Sequence, residues 1–553
     1  METKHNPYRS SRLANIAALL IVLTFLFSGW MTLSYYGISW DEGLGNFFFG
    51  NRYAQYIISG FDSKFLDFNQ DLGDPPGELS LEAYSPYREK FFEFPGLVDT
   101  LSGLSMRYFS YHLNFLDPVD AFHAVTVLIA ALFLWGQYYY VSRLFDQRIA
   151  LLSILFLATA PRFWGDAHFN PKDVPETATF SLTILSFMAW IQKPTFKQAT
   201  LSGIFFGAAL AVKANAIFVP IIILLWIFSW VIQPSKFKSN FIEVFNNWRQ
   251  LGWMFFVSGS VYWLSWPLLY TSPSLSRLYF QYIFSQGGRL GKGEWSLQPL
   301  KMVLAGNAEI FVIFLTIGII FLIILFLRNQ HFKIRWIMVL LWLCVPILRI
   351  SAPISVNFDG FRHFLEYLPA ASLIAGFGVV STIEVFKKFN NFHPKFVSSL
   401  IALLILLNTG FNFANYFPYQ YIYFNQFVGG LQGAQRYFKQ GEVTDYWAVS
   451  YREGIGWLND HAGQNAILDV PSGDYLVNIP ANLWLREDIK LISDNQVAEY
   501  RGTDREVYIM NITRPSFFKQ VAQSCYNQPA VFEEQVDGVT ILTIHRLQDC
   551  LGE

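Results

Sequence analysis

Charge is what this sequence has least of. Asp, Glu, Lys and Arg make up 15% of its 553 residues, against 53% hydrophobic and 18% aromatic, far from the balance of an ordinary soluble domain. A formal net charge of -1 leaves no basis for a general polyanion-binding surface. Cysteine occurs three times, too few for a disulfide framework. Cys344 lies in an apolar run, whereas Cys525 and Cys550 share the C-terminal part and could pair if that part is outside the cytoplasm. The centres of the long apolar runs are nearly free of charge, and there is no internal repeat. Transporters and proton pumps usually carry ionisable groups at mid-membrane, often on inverted repeats, so both absences count against that class. The first run, 13–33, is too long for a signal-peptide core and ends in bulky residues where a small-residue cleavage site would stand. It reads as a retained anchor.

What is present is a polytopic α-helical membrane protein. Eleven apolar segments read as transmembrane helices, near 13–33, 119–141, 149–165, 175–192, 199–213, 215–232, 251–269, 304–327, 334–350, 363–382 and 397–415. Lys4, Arg9 and Arg12 precede the first. With that end cytoplasmic, the connections Arg143–Arg148, Lys193–Lys197, Lys236–Arg249, Arg328–Arg335 and Lys387–Lys395 share its side, and each is basic, as the positive-inside rule requires. The opposite side receives 34–118, 166–174, 270–303, 351–362 and the C-terminal part. Residues 1–415 thus form a transmembrane domain and 416–553 a small extracytoplasmic α/β domain. Its tail is acidic, with 10 Lys and Arg against 17 Asp and Glu over 415–553.

The first outer loop, 34–118, is too long for a simple connector. Leu44, Phe47, Phe48, Ala54, Ile57, Ile58 and Phe61 fall at helical spacing, which suits an amphipathic helix along the membrane surface or on the tops of the helices. The segment 89–113 looks similar, and 62–88, with Asp74-Pro75-Pro76-Gly77, is a turn-rich excursion. Further on, Ala466–Val470, Ile489–Ile492 and Val507–Ile512 are short apolar runs of strand length. Val531–Val536, Asp537-Gly538 and Val539–His545 read as a hairpin. Asn511-Ile512-Thr513 matches the N-glycosylation acceptor pattern, a tripeptide that also occurs often by chance.

The ionisable residues gather at the outer ends of the helices, which points to a reaction at the outer interface. Trp40-Asp41-Glu42-Gly43 sets two carboxylates at the exit of the first span. One of them could act as a base and the other orient it, or Asp41 could simply cap a helix starting near Gly43. A second cluster runs from Arg162 to Pro175 and contains Asp166, His168, Asn170, Lys172 and Asp173. In an extended loop Asp166 and His168 would point to one side; a metal site needs more ligands than these. Asp173 and Pro175 also suit a helix start. Lys172 and Arg162 could neutralise a lipid phosphate or snorkel at the interface. Lys213 stands among uncharged helices and needs a partner such as Asp41, Glu42 or a phosphate. Arg289, Arg362 and His363 complete the candidates, the arginines as charge-assisted donors to phosphate oxygens.

WDEG in the first outer loop, HFNPKDVP at 168–175, Trp266-Pro267 and FRHFLEYLP at 361–369 resemble the polyprenol-phosphate-sugar-dependent GT-C glycosyltransferases. Within them, the dolichyl-phosphate-mannose protein mannosyltransferase-like enzymes are the most similar group. FNQFVGGLQGAQRYF at 424–438 and DYWAVSYREGIGWL at 445–458 are similar to the segment after the last membrane helix in one bacterial branch. The resemblance implies sugar transfer from a polyprenyl-phosphate-linked donor to an acceptor hydroxyl of a protein, lipid or glycan. The site then lies on the outer face of a cytoplasmic membrane. It implies Asp41 as the leading catalytic carboxylate and Glu42 as the second; from the chemistry of the residues themselves, Lys213, Arg289, Arg362 and His363 are the candidates for the donor phosphate. No cofactor is required, a divalent metal is an option, and no nucleic acid is involved. The competing classes are a transporter of lipid-linked sugar or solute, and an inactive scaffold of a glycosylation complex.

Overall fold

The computed structural model describes residues 11–86, 94–230, 246–290, 293–328, 334–355, 358–388 and 394–551. In chain order its main helices are α1 (Arg12–Met31), α2 (Phe47–Ile58), α3 (Leu97–Ser105), α4 (Pro118–Leu144), α5 (Gln147–Ala158), α6 (Pro161–Phe169), α7 (Asp173–Gln192) and α8 (Phe196–Leu210). They continue as α9 (Phe218–Ser229), α10 (Trp248–Leu264), α11 (Leu275–Leu290), α12 (Glu309–Arg328), α13 (Ile334–Ser351), α14 (Leu368–Lys388), α15 (Pro394–Tyr416) and α16 (Tyr451–His461).

Among the described residues, seven helices are long and apolar enough to cross a membrane: α1, α4, α7, α12, α13, α14 and α15. The chain is a multi-pass membrane protein. All eleven apolar segments fall on helices, but α8, α9 and α10 are shorter, and the segment 149–165 is broken. It consists of α5 and α6, bent by 63°. Pro161 supplies the reason: it has no N–H with which to continue α5, yet its fixed φ suits the first position of α6. The connection expected at 166–174 is therefore largely helical. Lys4, Arg9, 236–245, 329–333 and 389–393 of the basic connections, and 89–93 of the segment 89–113, lie outside the described residues.

Starts are written locally. Asp117, Asp146 and Thr195 accept hydrogen bonds from Val119, Arg148 and Gln198 N–H, capping α4, α5 and α8. Between helices the packing is close. A Cβ at Gly318 of α12 would lie 2.2 Å from the Ile374 carbonyl of α14, and one at Gly378 would lie 2.2 Å from that of Phe314. Small residues let membrane helices approach at backbone distance. Gln137, Ser153 and Ser372 join α4, α5 and α14 by side-chain hydrogen bonds.

The loop 34–118 packs against protein. Its α2 is buried on most sides, with Phe47, Phe48, Phe49 and Tyr53 in one aromatic cluster, and it packs on α3 so tightly that a Cβ at Gly103 would sit 2.0 Å from the Gly50 carbonyl. Arg52, fully buried, pairs with Glu82 at 2.6 Å and pins the turn-rich excursion.

The C-terminal part contains a five-stranded sheet: β1 (Ile467–Asp469), β2 (Lys490–Ile492), β3 (Val507–Ile512), β4 (Phe532–Val536) and β5 (Val539–Arg546), in the order β2-β1-β3-β5-β4. β1 runs parallel to β2 and β3, while β5 is antiparallel to β3 and β4. The two-residue turn Asp537-Gly538 has both φ positive, at 46° and 74°, as a hairpin of type I′ demands. A disulfide joins Cys525 to Cys550. The turn is also an anchor: the Asp537 carboxylate accepts from the Tyr416 hydroxyl at 2.8 Å and the Leu431 N–H at 2.7 Å. On the other flank Trp484 donates to Asp117 at 2.7 Å and Ser80 N–H to the Ile479 carbonyl at 3.0 Å. These ties turn the carboxyl ends of β1 and β3 toward the outer ends of the spans.

Glu534 on β4 offers a test of the sheet. Burial, with Glu453 beside it, raises its carboxyl to about 7. A folded-state value above the ordinary one means a contribution to stability that is complete below the ordinary value and lost as pH rises through about 7. Thermal unfolding of the full chain should therefore show a falling Tm between pH 5 and 8.5, and Glu534→Gln should flatten that fall. An unchanged slope in the variant would assign the effect elsewhere.

Candidate functional site

After α1 the chain runs back along the segment 447–449. Gly37 N–H donates to the Val449 carbonyl at 3.1 Å and Trp40 N–H to that of Trp447 at 3.2 Å. This pairing fixes the next two residues and separates them. Glu42 turns inward and is fully buried. It accepts from the Ser39 N–H at 2.9 Å and hydroxyl at 2.8 Å, with His123 Nε2 of α4 at 2.9 Å from its other oxygen. Asp41 turns outward, its side chain 34% exposed. It makes no capping bond to the helical turn Glu42–Asn46; its carboxylate pairs instead with Arg362.

Arg362 is the hub. It bonds Asp41 and Asp359, the latter at 3.4 Å, and its Nε lies 3.8 Å from Asp173. The guanidinium stacks on the Trp447 ring at 4.3 Å. Burial opposes its charge, but Asp41, Asp173 and Asp359 outweigh burial and raise its pKa above the ordinary value. Asp359 also pairs with Arg514 at 2.7 Å; burial raises this carboxyl, while Arg514 and Arg362 pull it down. Lys213, between α8 and α9, finds its partner in Asp173 rather than in Asp41 or Glu42. Three carboxylates and three cations, from five distant segments, thus meet in one place.

The second cluster divides. Asn170 and Asp173 form a reciprocal pair at the start of α7: the Asn170 carbonyl oxygen accepts from the Asp173 N–H at 2.8 Å, and its amide donates to the Asp173 carboxylate at 2.9 Å. This pair aims the other carboxylate oxygen at Lys213. Lys172 is buried against Asp99 at 2.8 Å and the Pro95 carbonyl at 2.9 Å, a clamp on the outer loop with no lipid-facing amine. Arg162 is equally enclosed, sandwiched between Phe361 and Phe424 at 4.7 Å each. Asp166 and His168 lie on helix α6, not on an extended loop, so they diverge. His168 stacks on Tyr36 at 4.2 Å and meets Thr32 at 2.9 Å, whereas Asp166 is buried on the side of Arg162. Both hold the broken helix in place.

Below the hub, Asn215 donates to Glu366 at 2.7 Å, and Arg349 pairs with Glu366 at 3.3 Å. Burial, then Arg362, Lys213 and Arg349, hold His363 well below its usual value. Arg289 belongs to α11, but its side chain lies outside the described residues. Among the described residues, no three His, Cys, Asp or Glu side chains converge to hold a metal ion.

Trp447, Arg514, Ser39 and His123 are not legible as site residues from sequence. Trp447 carried a signal, since it lies in DYWAVSYRE; Asp445 in that motif is buried and accepts from the Tyr421 hydroxyl at 2.6 Å and from the N–H groups of Trp447 at 3.1 Å, Ala448 at 2.6 Å and Ser450 at 2.8 Å, which presents the indole to Arg362. Arg514 lies in a stretch without any motif.

Residues 115–263 match the family model of dolichyl-phosphate-mannose-protein mannosyltransferases. The matched span contains Asp173 and Lys213 but neither Asp41 nor Arg362. No curated protein matches the sequence. Among solved structures, ArnT from Cupriavidus metallidurans bound to undecaprenyl phosphate is similar with a TM-score of 0.50 and 12% identity, over 97% of this chain and 98% of that one. AglB from Archaeoglobus fulgidus, in complex with an inhibitory peptide and a dolichol-phosphate, aligns with a TM-score of 0.48 and 12% identity, over 96% of this chain and 75% of that one. This chain has the GT-C fold that it shares with ArnT and is mannosyltransferase-like over residues 115–263.

Proposed function

We propose that this protein is a glycosyltransferase that moves a sugar from a polyprenyl-phosphate-linked donor to an acceptor hydroxyl at the outer face of the cytoplasmic membrane. The observation that carries the reading is the pairing of a partly exposed carboxylate, Asp41, with a cation, Arg362, that Lys213 adjoins through Asp173. ArnT, of similar fold, holds undecaprenyl phosphate, a ligand whose phosphate such cations suit. The basic connections and the Cys525–Cys550 disulfide favour placing the sheet and the site outside the cytoplasm.

The chemistry follows from the charges. A lipid phosphate is already a leaving group, so the protein must orient or deprotonate a hydroxyl and stabilise charge on the departing phosphate. At rest the cluster is balanced. An arriving phosphate brings its own negative charge and competes with Asp41 for Arg362, which frees the carboxylate as base at the moment a donor is present. Lys213 and Arg362 then meet the phosphate from the protein side, and attack opposite to it inverts the anomeric carbon. Glu42, enclosed by Ser39 and His123, holds the turn that presents Asp41 and never meets the hydroxyl.

Two experiments test this. Asp41→Asn should leave the unfolding temperature nearly unchanged and lower sugar transfer by about 10²–10⁴-fold, whereas Glu42→Ala should destabilise the fold by about 3–5 kcal/mol by stranding buried His123. Equal effects of the two on stability, or full transfer by Asp41→Asn, would remove Asp41 from the role of base. Arg362→Ala should weaken binding of polyprenyl phosphate by about tenfold or more, read by titration in nanodiscs; Trp447→Ala should weaken it less. Unchanged affinity in Arg362→Ala would place the phosphate elsewhere.

A further inference from the structure

The sheet directs a second set of unmet hydrogen-bonding groups toward the site. From β1 the chain crosses to β2 on one side, then returns past β1 to β3 on the other. Connections leave the carboxyl ends of β1 and β3 in opposite directions, to β2 on one side and to β4 on the other, and in open sheets such a switch point between parallel strands is where ligands bind. Here the switch point lies between the loop 470–474 after β1 and the loop 513–519 after β3. Ser472 Oγ bridges the two by donating to the Phe517 carbonyl at 3.0 Å. Both loops end on the residue beside Asp41: the Trp40 ring lies 5.3 Å from that of Phe517, and a Cβ at Gly473 would meet it at 2.6 Å. Arg514 ties the second loop to Asp359.

Asp469 closes β1 and is 1% exposed, and its Oδ2 has no hydrogen-bond partner among the described residues. The same holds for Oδ1 of Asp494, just after β2, and for Nε1 of Trp40. Asp494 and Asp474 face Asp469 with like charge and only Lys519 with opposite charge; burial and these neighbours push the Asp469 carboxyl up to about 7. Buried polar atoms are almost always satisfied, and a buried carboxylate without a counter-ion is costly. Two acceptor oxygens and one indole donor, left unmet at the carboxyl ends of β1 and β2 and on the residue beside Asp41, describe the complement of a ligand with a cation and hydroxyl groups.

We propose that the carboxyl ends of β1, β2 and β3 form the acceptor subsite, taking a hydroxyl-rich acceptor that carries an ammonium group, which pairs with Asp469 and Asp494. This rests on the glycosyltransferase reading: the ammonium docks at the strand ends, and a neighbouring hydroxyl reaches Asp41 past Trp40.

The test is a titration of the full-length protein, in uncharged detergent, with glucosamine, N-acetylglucosamine and glucose. Glucosamine should bind one saturable site, with the two neutral sugars about tenfold weaker or more. Asp469→Asn and Asp494→Asn should each weaken glucosamine about fivefold or more without lowering the unfolding temperature. Asp494, on the half-exposed rim, keeps the test open if Asp469→Asn fails to fold. Equal binding of the three sugars, or glucosamine binding unchanged in the variants that fold, overturns the subsite. The reading beneath it is judged separately, by release of sugar from a polyprenyl-phosphate-hexose by the wild-type protein. Absence of release sinks the enzyme, whatever glucosamine does.

Discussion

One guanidinium organises this molecule. Arg362 is shared by Asp41 from the exit of the first span, Asp173 from the start of α7 and Asp359 from its own loop, and Trp447 covers its face. Removed from bulk water, a cation in that position must be surrounded by carboxylates or leave. The carboxylates come from parts of the chain more than a hundred residues apart, so the interaction exists only when the outer loop, the spans and the segment after the last span are all in place. The site is in this sense a readout of the completed fold.

The same economics of buried charge explain why so many outer polar residues are not available for chemistry. Lys172 is committed to Asp99, Arg52 to Glu82, Glu42 to Ser39 and His123, and Arg162 to two aromatic faces and the Tyr423 carbonyl. Each is a staple through which the long outer loop, the broken helix α5–α6 or the segment at 420–450 is held. What remains partly exposed is Asp41, and its exposure is a consequence of the neighbouring Glu42 having taken the inward position.

The sheet is held on the spans at opposite edges, by Asp537 at its hairpin turn and by Trp484 and Ile479 on the far flank. Between these anchors the carboxyl ends of its parallel strands overhang Trp40. The fold therefore sets the Arg362 cluster and the strand ends on either side of Trp40 and Asp41.

Much of this was legible in the residues. Eleven apolar segments, the basic connections, three short strands and the Asp537-Gly538 hairpin can be read along the chain, because hydrophobic length, period and turn chemistry are local properties. The break at Pro161 was local as well, yet the charged run after it reads as a loop, since polar residues buried in a helix look like exposed ones until their partners are known. The sequence by itself determined that the chain has segments that cross a membrane and where it turns between them. Only the tertiary structure decided that Asp41 faces out and Glu42 in, that Lys213 takes Asp173, and that Arg514 and Trp447 join the site. Side-chain pairing across hundreds of residues depends on which segments are brought within a few ångströms, and no local pattern encodes that distance.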